Sequence, residues 1–209
     1  MPQQFEHCVP VFLEIIDELC SAHKEVEKMF LRFAQLVVDS LDGRHPFIRH
    51  HSLKVTQYAE KIAAGIGFDE EERKRLSLAA LLHDIGRIGI EDSLLDKKTK
   101  FSHHEFERMK KHALYGATIL STIDQMHDII PWIMHHHERI DGNGYPGGLS
   151  GESIPFCAKI LHVADSFDAM TSGRPYRTER GKDYAFSEFI RYQGIQFDTH
   201  IIEVALKVL

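Results

Sequence analysis

Apolar residues recur at helical spacing along most of the chain. Val11, Phe12, Ile15, Ile16 and Leu19, followed by Val26, Met29, Phe30, Phe33, Leu36 and Val37, predict one or two helices between about Val9 and Leu41. Ser21 can cap the second of these, and Asp42-Gly43 ends it. After the extended joint His45-Pro46-Phe47, a helix is predicted from about Ile48 to Ile66. Leu53, Val55, Tyr58, Ala59 and Ile62 face inward, and Gly65 and Gly67 close it. Asp69 caps the next helix, which runs through Leu76, Leu78, Ala79, Ala80, Leu81 and Leu82 into His83-Asp84. Ser93-Leu94-Leu95 reads as a short turn. Ser102 and Glu105 have capping-box spacing at the start of a helix that carries Phe106, Met109, His112, Leu114, Gly116 and Leu120.

Farther on, a helix from about Met126 is predicted to end at His135-His136-His137-Glu138. The run from Asp141 to Gly148 is too glycine-rich to be helical. Ile154-Pro155 opens a helix whose buried side includes Ala158, Ile160, Leu161, Val163, Ala164, Phe167 and Met170, with Asp165 and Asp168 among them. Arg174-Pro175-Tyr176-Arg177 is a loop, and helices over about Asp183–Tyr192 and Thr199–Val208 complete the chain. No stretch alternates as a strand, and none repeats. The expected architecture is an all-α bundle, residues 46–209, with an N-terminal helical segment, residues 1–45. That segment carries no chemistry of its own. It reads as a hairpin packed on the main domain, or else as a dimerisation or sensory element.

Composition narrows the class. The 209 residues are 43% hydrophobic and 27% charged, as in ordinary globular proteins. No apolar run is long enough to span a membrane, and Met1-Pro2-Gln3-Gln4 does not begin a signal peptide. Cys8, Cys20 and Cys157 are too scattered to be a ligand set and read as reduced thiols, so a cytoplasmic location is expected. A net charge of -6 argues against binding DNA or RNA duplexes, but not against a small phosphate ligand. The unusual figure is 15 histidines, which brings metal binding or proton chemistry into view.

His83 and Asp84 stand together in apolar surroundings, where an unpartnered carboxylate would cost several kcal/mol. Two readings are open there. His83 caps a helix end while Asp84 pairs with Arg87, or both residues hold a metal. Five separate segments contribute similar groups on apolar faces: His51, His83, Asp84, His112, His136, His137 and Asp165. Each histidine taken alone reads as a satisfied core or surface residue, and their pattern together changes the balance. Imidazole with carboxylate and no cysteine suits iron, manganese, cobalt, nickel or zinc, and disfavours a structural zinc. Seven groups exceed one tetrahedral site, so two metals bridged by a carboxylate such as Asp84 are expected. Adjacent helical residues point about 100° apart, so His83 and Asp84 must meet a metal at a helix edge or serve two. His45, His50, His103, His104, His127, His135, His162 and His200 are left without a metal role.

This ordered series resembles the HD superfamily of metal-dependent phosphohydrolases. The run His136-His137-Glu138-Arg139-Ile140-Asp141-Gly142-Asn143-Gly144-Tyr145-Pro146 is similar to the signature of its HD-GYP subfamily. So are His51-Ser52-Leu53-Lys54-Val55, Asp165-Ser166-Phe167-Asp168-Ala169-Met170, Arg174-Pro175-Tyr176-Arg177 and Gly194-Ile195-Gln196-Phe197-Asp198. The resemblance implies a bacterial signalling enzyme that hydrolyses a 3′–5′ phosphodiester of cyclic di-GMP to linear pGpG, and in some members onward to GMP. It implies an iron- or manganese-type centre. His51, His83, Asp84 and Asp165 match the superfamily metal site, and His112, His136 and His137 match the subfamily's added ligands. Tyr145 matches a loop tyrosine near the substrate, and Arg174 and Arg177 match groups that face its phosphates or guanines.

Two positions depart from the pattern. Three-metal members have a Glu one turn before the first ligand His, where this chain has Phe47. Two metals are therefore expected, and the second hydrolysis is in doubt. The basic residue after the His-Asp pair is usually Lys, and here it is Arg87, which can grip phosphate with two donors. In the mechanism so implied, His83 and Asp84 hold the metals that activate water, and Arg87 neutralises charge at phosphorus. Asp168 holds Arg87 or a ligand histidine in place. The competing readings are an HD-type hydrolase for another nucleotide, and a silent ligand-binding module. No input domain is recognisable, so any signal is expected through the N-terminal helices or a partner.

Overall fold

In a computed structural model, the described residues are 25, 28, 29, 32, 34–39, 51–172 and 180–209. The chain divides into two compact units, residues 1–37 and 38–209. In the first, described residues between 25 and 37 are helical. The domain boundary expected at residue 45 falls outside the described residues, as do Phe47, Arg174 and Arg177.

The second unit is all-α. Its described helices are α1 (His51–Ile66), α2 (Glu70–Leu82), α3 (Asp92–Leu95), α4 (His103–Leu120), α5 (Ile130–Met134), α6 (Phe156–Thr171), α7 (Gly181–Tyr192) and α8 (Thr199–Val208). Among the described residues there is no strand, and a single bridge joins Gln193 and Phe197. Helix α1 packs on α2, α6 and α8, while α5 lies between α4 and α6. The core between them is aliphatic: Val55, Ile62, Leu76, Ile133, Ile160, Leu161, Ile201 and Ile202 are buried. Both capping boxes form. Asp69 accepts from the Glu72 N–H while the Glu72 carboxylate accepts from the Asp69 N–H, and Ser102 and Glu105 do the same for α4.

Two local expectations are corrected. Gly65 does not end α1 but lies inside it, where an added Cβ would stand 2.7 Å from a Val204 methyl of α8. The helix expected from Met126 is shorter and later. A 3-10 turn covers Asp124–Met126, and α5 begins only at Ile130. Pro131 explains this, because a ring without an N–H is accepted in a helix's first turn and not in its interior.

The tightest crossing lies where a second 3-10 turn, Ile85–Gly89, meets α4. A Cβ added at Gly86 would stand 1.9 Å from the His112 carbonyl oxygen and 2.4 Å from the Gly116 nitrogen. Only glycine lets these backbones approach so closely. The contact fixes the height of His112 relative to the His83-Asp84 pair, two residues before Gly86.

Candidate metal centre

The centre is built from helix ends and helix faces of one unit. Helix α2 stops at Leu82, and His83 and Asp84 occupy the break before the 3-10 turn, with ψ changing from -33° to 7°. His83 itself keeps helical angles, and the backbone leaves the helix at Asp84. Helix α5 stops at Met134, and His136 and His137 lie in the turn that follows. His51 opens α1, His112 lies on α4, and Asp165 lies on α6.

All seven predicted groups converge, in two sets. His51, His83 and Asp84 offer ligand atoms within 4.8 Å of one another, and so do His112, His136 and His137. Asp165 joins the first set, its Oδ1 3.2 Å from His51 Nε2. Asp84 spans both. Its Oδ2 lies 3.5 Å from His51 Nε2 and 3.2 Å from His83 Nε2, and its Oδ1 lies 3.5 Å from His112 Nε2. Arg87 Nη2 is 2.7 Å from Asp84 Oδ2, so the Asp84–Arg87 ion pair and the converging histidines are both present.

The far side of four of the rings is fixed. Nδ1 of His83, His112 and His136 faces the carbonyl oxygen three residues earlier, at 2.7, 2.8 and 2.5 Å respectively. His51 Nδ1 faces Asp168 Oδ2 at 2.6 Å, so Asp168 orients a histidine rather than Arg87. For His83, His112 and His136, with Nδ1 donating, Nε2 carries the lone pair and points into the centre. There, Nε2 of His51, His83, His112 and His136 and both oxygens of Asp84 are buried without a hydrogen-bond partner. Folded proteins rarely leave such atoms unsatisfied. Imidazole Nε2 atoms gathered around one buried carboxylate are the donor set a divalent cation takes, so the residues present fit a metal.

The electrostatics differ across the centre. Burial alone would lower His51, but its contacts with Asp165, Asp168 and Asp84 outweigh that and raise it to about 10. Burial would raise Asp84, yet Arg87 and His83 hold it well below the usual carboxylate range. In the other set, burial and the neighbouring His83 and His112 push His136 down to about 3. His137 is held well below its usual value by burial and by His136 and His112, and burial lowers His112.

Tyr145 stacks on His137, ring centroids 4.7 Å apart, and its N–H donates to the His137 carbonyl at 3.2 Å. Its loop is held by Glu138, a residue to which the sequence reading gave no role. This buried carboxylate accepts from the Gly147 N–H at 2.6 Å and the Leu149 N–H at 3.0 Å. A carboxylate just ahead of a glycine-rich loop, whose N–H groups lack helical partners, was the available signal. Gly144 folds so close to Glu138 and Arg139 that a Cβ there would meet backbone at 2.5 Å. His162, read as a satisfied core residue, is one. Its Nδ1 faces the His136 carbonyl at 3.0 Å and its Nε2 faces Gln196.

The sequence profile described as "HD domain" matches residues 35–201. The chain belongs to the HD-domain family. Relatives of this HD domain include the cyclic di-GMP phosphodiesterase response regulator RpfG of Xanthomonas campestris pv. campestris. It is 34% identical over 213 residues, covering 98% of this chain and 55% of that protein. The 3'3'-cGAMP-specific phosphodiesterase 3 of Vibrio cholerae is 35% identical over 147 residues, covering 70% of this chain and 32% of that protein. The solved structure of Bd1817, described as a HDG"Y"P protein, from Bdellovibrio bacteriovorus superposes with a TM-score of 0.62 at 25% identity. It covers 76% of this chain and 51% of that one. The chain thus spans about half the length, or less, of these relatives.

Proposed function

We propose that this HD domain is a metal-dependent phosphodiesterase of the HD-GYP type that opens one 3′–5′ linkage of cyclic di-GMP to give linear pGpG. The observation that carries the reading is the set of buried, unpartnered Nε2 and Oδ atoms, with Asp84 facing both groups of histidines. His51, His83, Asp84 and Asp165 would hold one divalent cation, and His112, His136 and His137, with the second oxygen of Asp84, another. Iron or manganese suits this nitrogen–oxygen donor set. Bound cations of this kind acidify water and neutralise charge on a phosphoryl group.

The chain's own residues do the rest. Asp168 keeps His51 Nδ1 occupied, so that Nε2 stays available. Arg87 retains a buried Nε with no partner beside Asp84, a donor for a phosphoryl oxygen that gains charge during attack. Tyr145 walls the centre on the His137 side and limits water there. Arg174 and Arg177 meet the phosphates or guanines of the doubly anionic substrate. Phe47 occupies the sequence position at which three-metal members carry a glutamate, so a two-metal centre and pGpG as the product are part of the proposal. A cytoplasmic setting and an N-terminal helical segment that pairs two copies or receives a signal complete the proposal.

A second substrate is favoured by one finding, the relatives named as 3'3'-cGAMP-specific. A single experiment tests both. Protein prepared anaerobically with iron or manganese is given cyclic di-GMP and 3'3'-cGAMP, and products are separated. Conversion of cyclic di-GMP to pGpG, faster than that of 3'3'-cGAMP, is expected. Exclusive cleavage of 3'3'-cGAMP would reassign the substrate, and no cleavage of either by metal-loaded protein would overturn the function.

A further inference from the structure

The rings of the centre continue outward toward solvent. His136 and His137 have centroids 3.9 Å apart, Tyr145 stacks on His137, and Phe106 meets Tyr145 edge-on at 6.2 Å. Exposure rises along this series, from His136 at 0% to Phe106 at 43%. Lys110, one turn after Phe106 on α4, holds its ammonium 4.9 Å from the Phe106 centroid and 5.5 Å from that of Tyr145. Phe106 also lines an open cavity of about 370 Å³ with Lys100, Phe101 and His103. Lys110 also pairs with Glu107 at 2.7 Å, but an exposed pair three residues apart is weak enough to be exchanged.

A large exposed aromatic with a cation beside it, joined ring to ring with a buried metal-type centre, has the features of a nucleobase platform. Bases stack on aromatic faces, and an ammonium takes phosphate. A cyclic dinucleotide also needs such a platform. Only one of its two phosphodiesters can sit at the centre, so a second base and phosphate must lie farther out. We propose that Phe106 and Lys110 form this outer half of the site: Phe106 stacks one purine, and Lys110 pairs with the phosphodiester that is not cleaved. The inference rests on the phosphodiesterase reading above and adds to it the residues that recognise the remote half of the substrate.

The test uses the full chain loaded with manganese, steady-state kinetics on cyclic di-GMP, and calorimetric binding of pGpG. Phe106→Ala is expected to raise KM and weaken pGpG binding about tenfold, the loss of one stacked base. Phe106→Tyr is expected to restore both, since it keeps the ring. Lys110→Ala is expected to raise KM and flatten its salt dependence, and Lys110→Arg to recover it. Metal content per chain reports that the centre itself is intact. Phe106→Ala matching wild type, or Phe106→Tyr failing as badly as Ala, would overturn the inference while leaving the proposed function standing. Wild-type protein inactive on both cyclic dinucleotides would overturn that function, and the inference with it.

Discussion

Around His51 three carboxylates converge, those of Asp84, Asp165 and Asp168, whereas in the other set His112 faces the far oxygen of Asp84 and His137 feels the charge of Asp165. The two halves of the centre keep their lone pairs available in different ways. In the first, the Asp168 carboxylate orients His51 while a backbone carbonyl orients His83, and His51, raised to about 10, keeps a proton among the negative charges. In the second, backbone carbonyls orient His112 and His136, and burial keeps the imidazoles neutral. One half depends on charge, and the other on helix ends being in the right place. Asp84 belongs to both.

The largest effect is therefore expected from Asp84→Ala. It removes the group shared by both halves and leaves Arg87 without its anionic partner. Turnover should fall by about a thousandfold or more, toward background, with metal loading lost from both sets together. Loss of metal from one set alone would show that Asp84 does not join them.

Asp168→Asn separates the halves. An amide can still contact His51 Nδ1 but no longer holds it with charge, so the first set should bind metal about 10- to 100-fold more weakly. The second set should be unaffected in a chelator-competition titration. An equal loss in both sets would break the comparison.

Acidity sharpens it further. His51 loses a proton when a cation takes its place, so below about 10 each released proton makes affinity rise with pH, by about tenfold per unit. His136 is already neutral above about 3, so its set should show no such slope near neutral pH. Metal titrations at a series of pH values should resolve one steep and one flat component. Two parallel slopes would contradict the assignment.

The smallest effect is expected at Glu138. Glu138→Gln keeps the shape but leaves one acceptor oxygen for two donors, so either the Gly147 or the Leu149 N–H loses its partner. A few-fold rise in KM with metal content unchanged is expected, measured on the same cyclic dinucleotide.

Much of this was legible in the sequence. Asp69 and Ser102 announce their helices because capping is local chemistry, and helical periodicity finds α1, α4 and α6 within a few residues. The seven groups could be read because ionisable residues on apolar faces require partners. What was not legible depends on contacts between distant segments. The shortness of α5 follows from Pro131, yet the end of α2 at Leu82 shows no such local marker. Nothing local marks Gly86 as the place where an absent side chain admits the backbone of α4. The choice of Asp168 between Arg87 and His51 needed the packing of α1 against α6, which periodicity does not specify.

The central claim is that two sets of buried lone pairs, joined by Asp84, hold two cations. Its most direct test is a metal count on anaerobically purified, folded protein supplied with iron or manganese. Two divalent ions per chain are predicted. A folded wild-type chain that retains no divalent metal under those conditions would contradict the account.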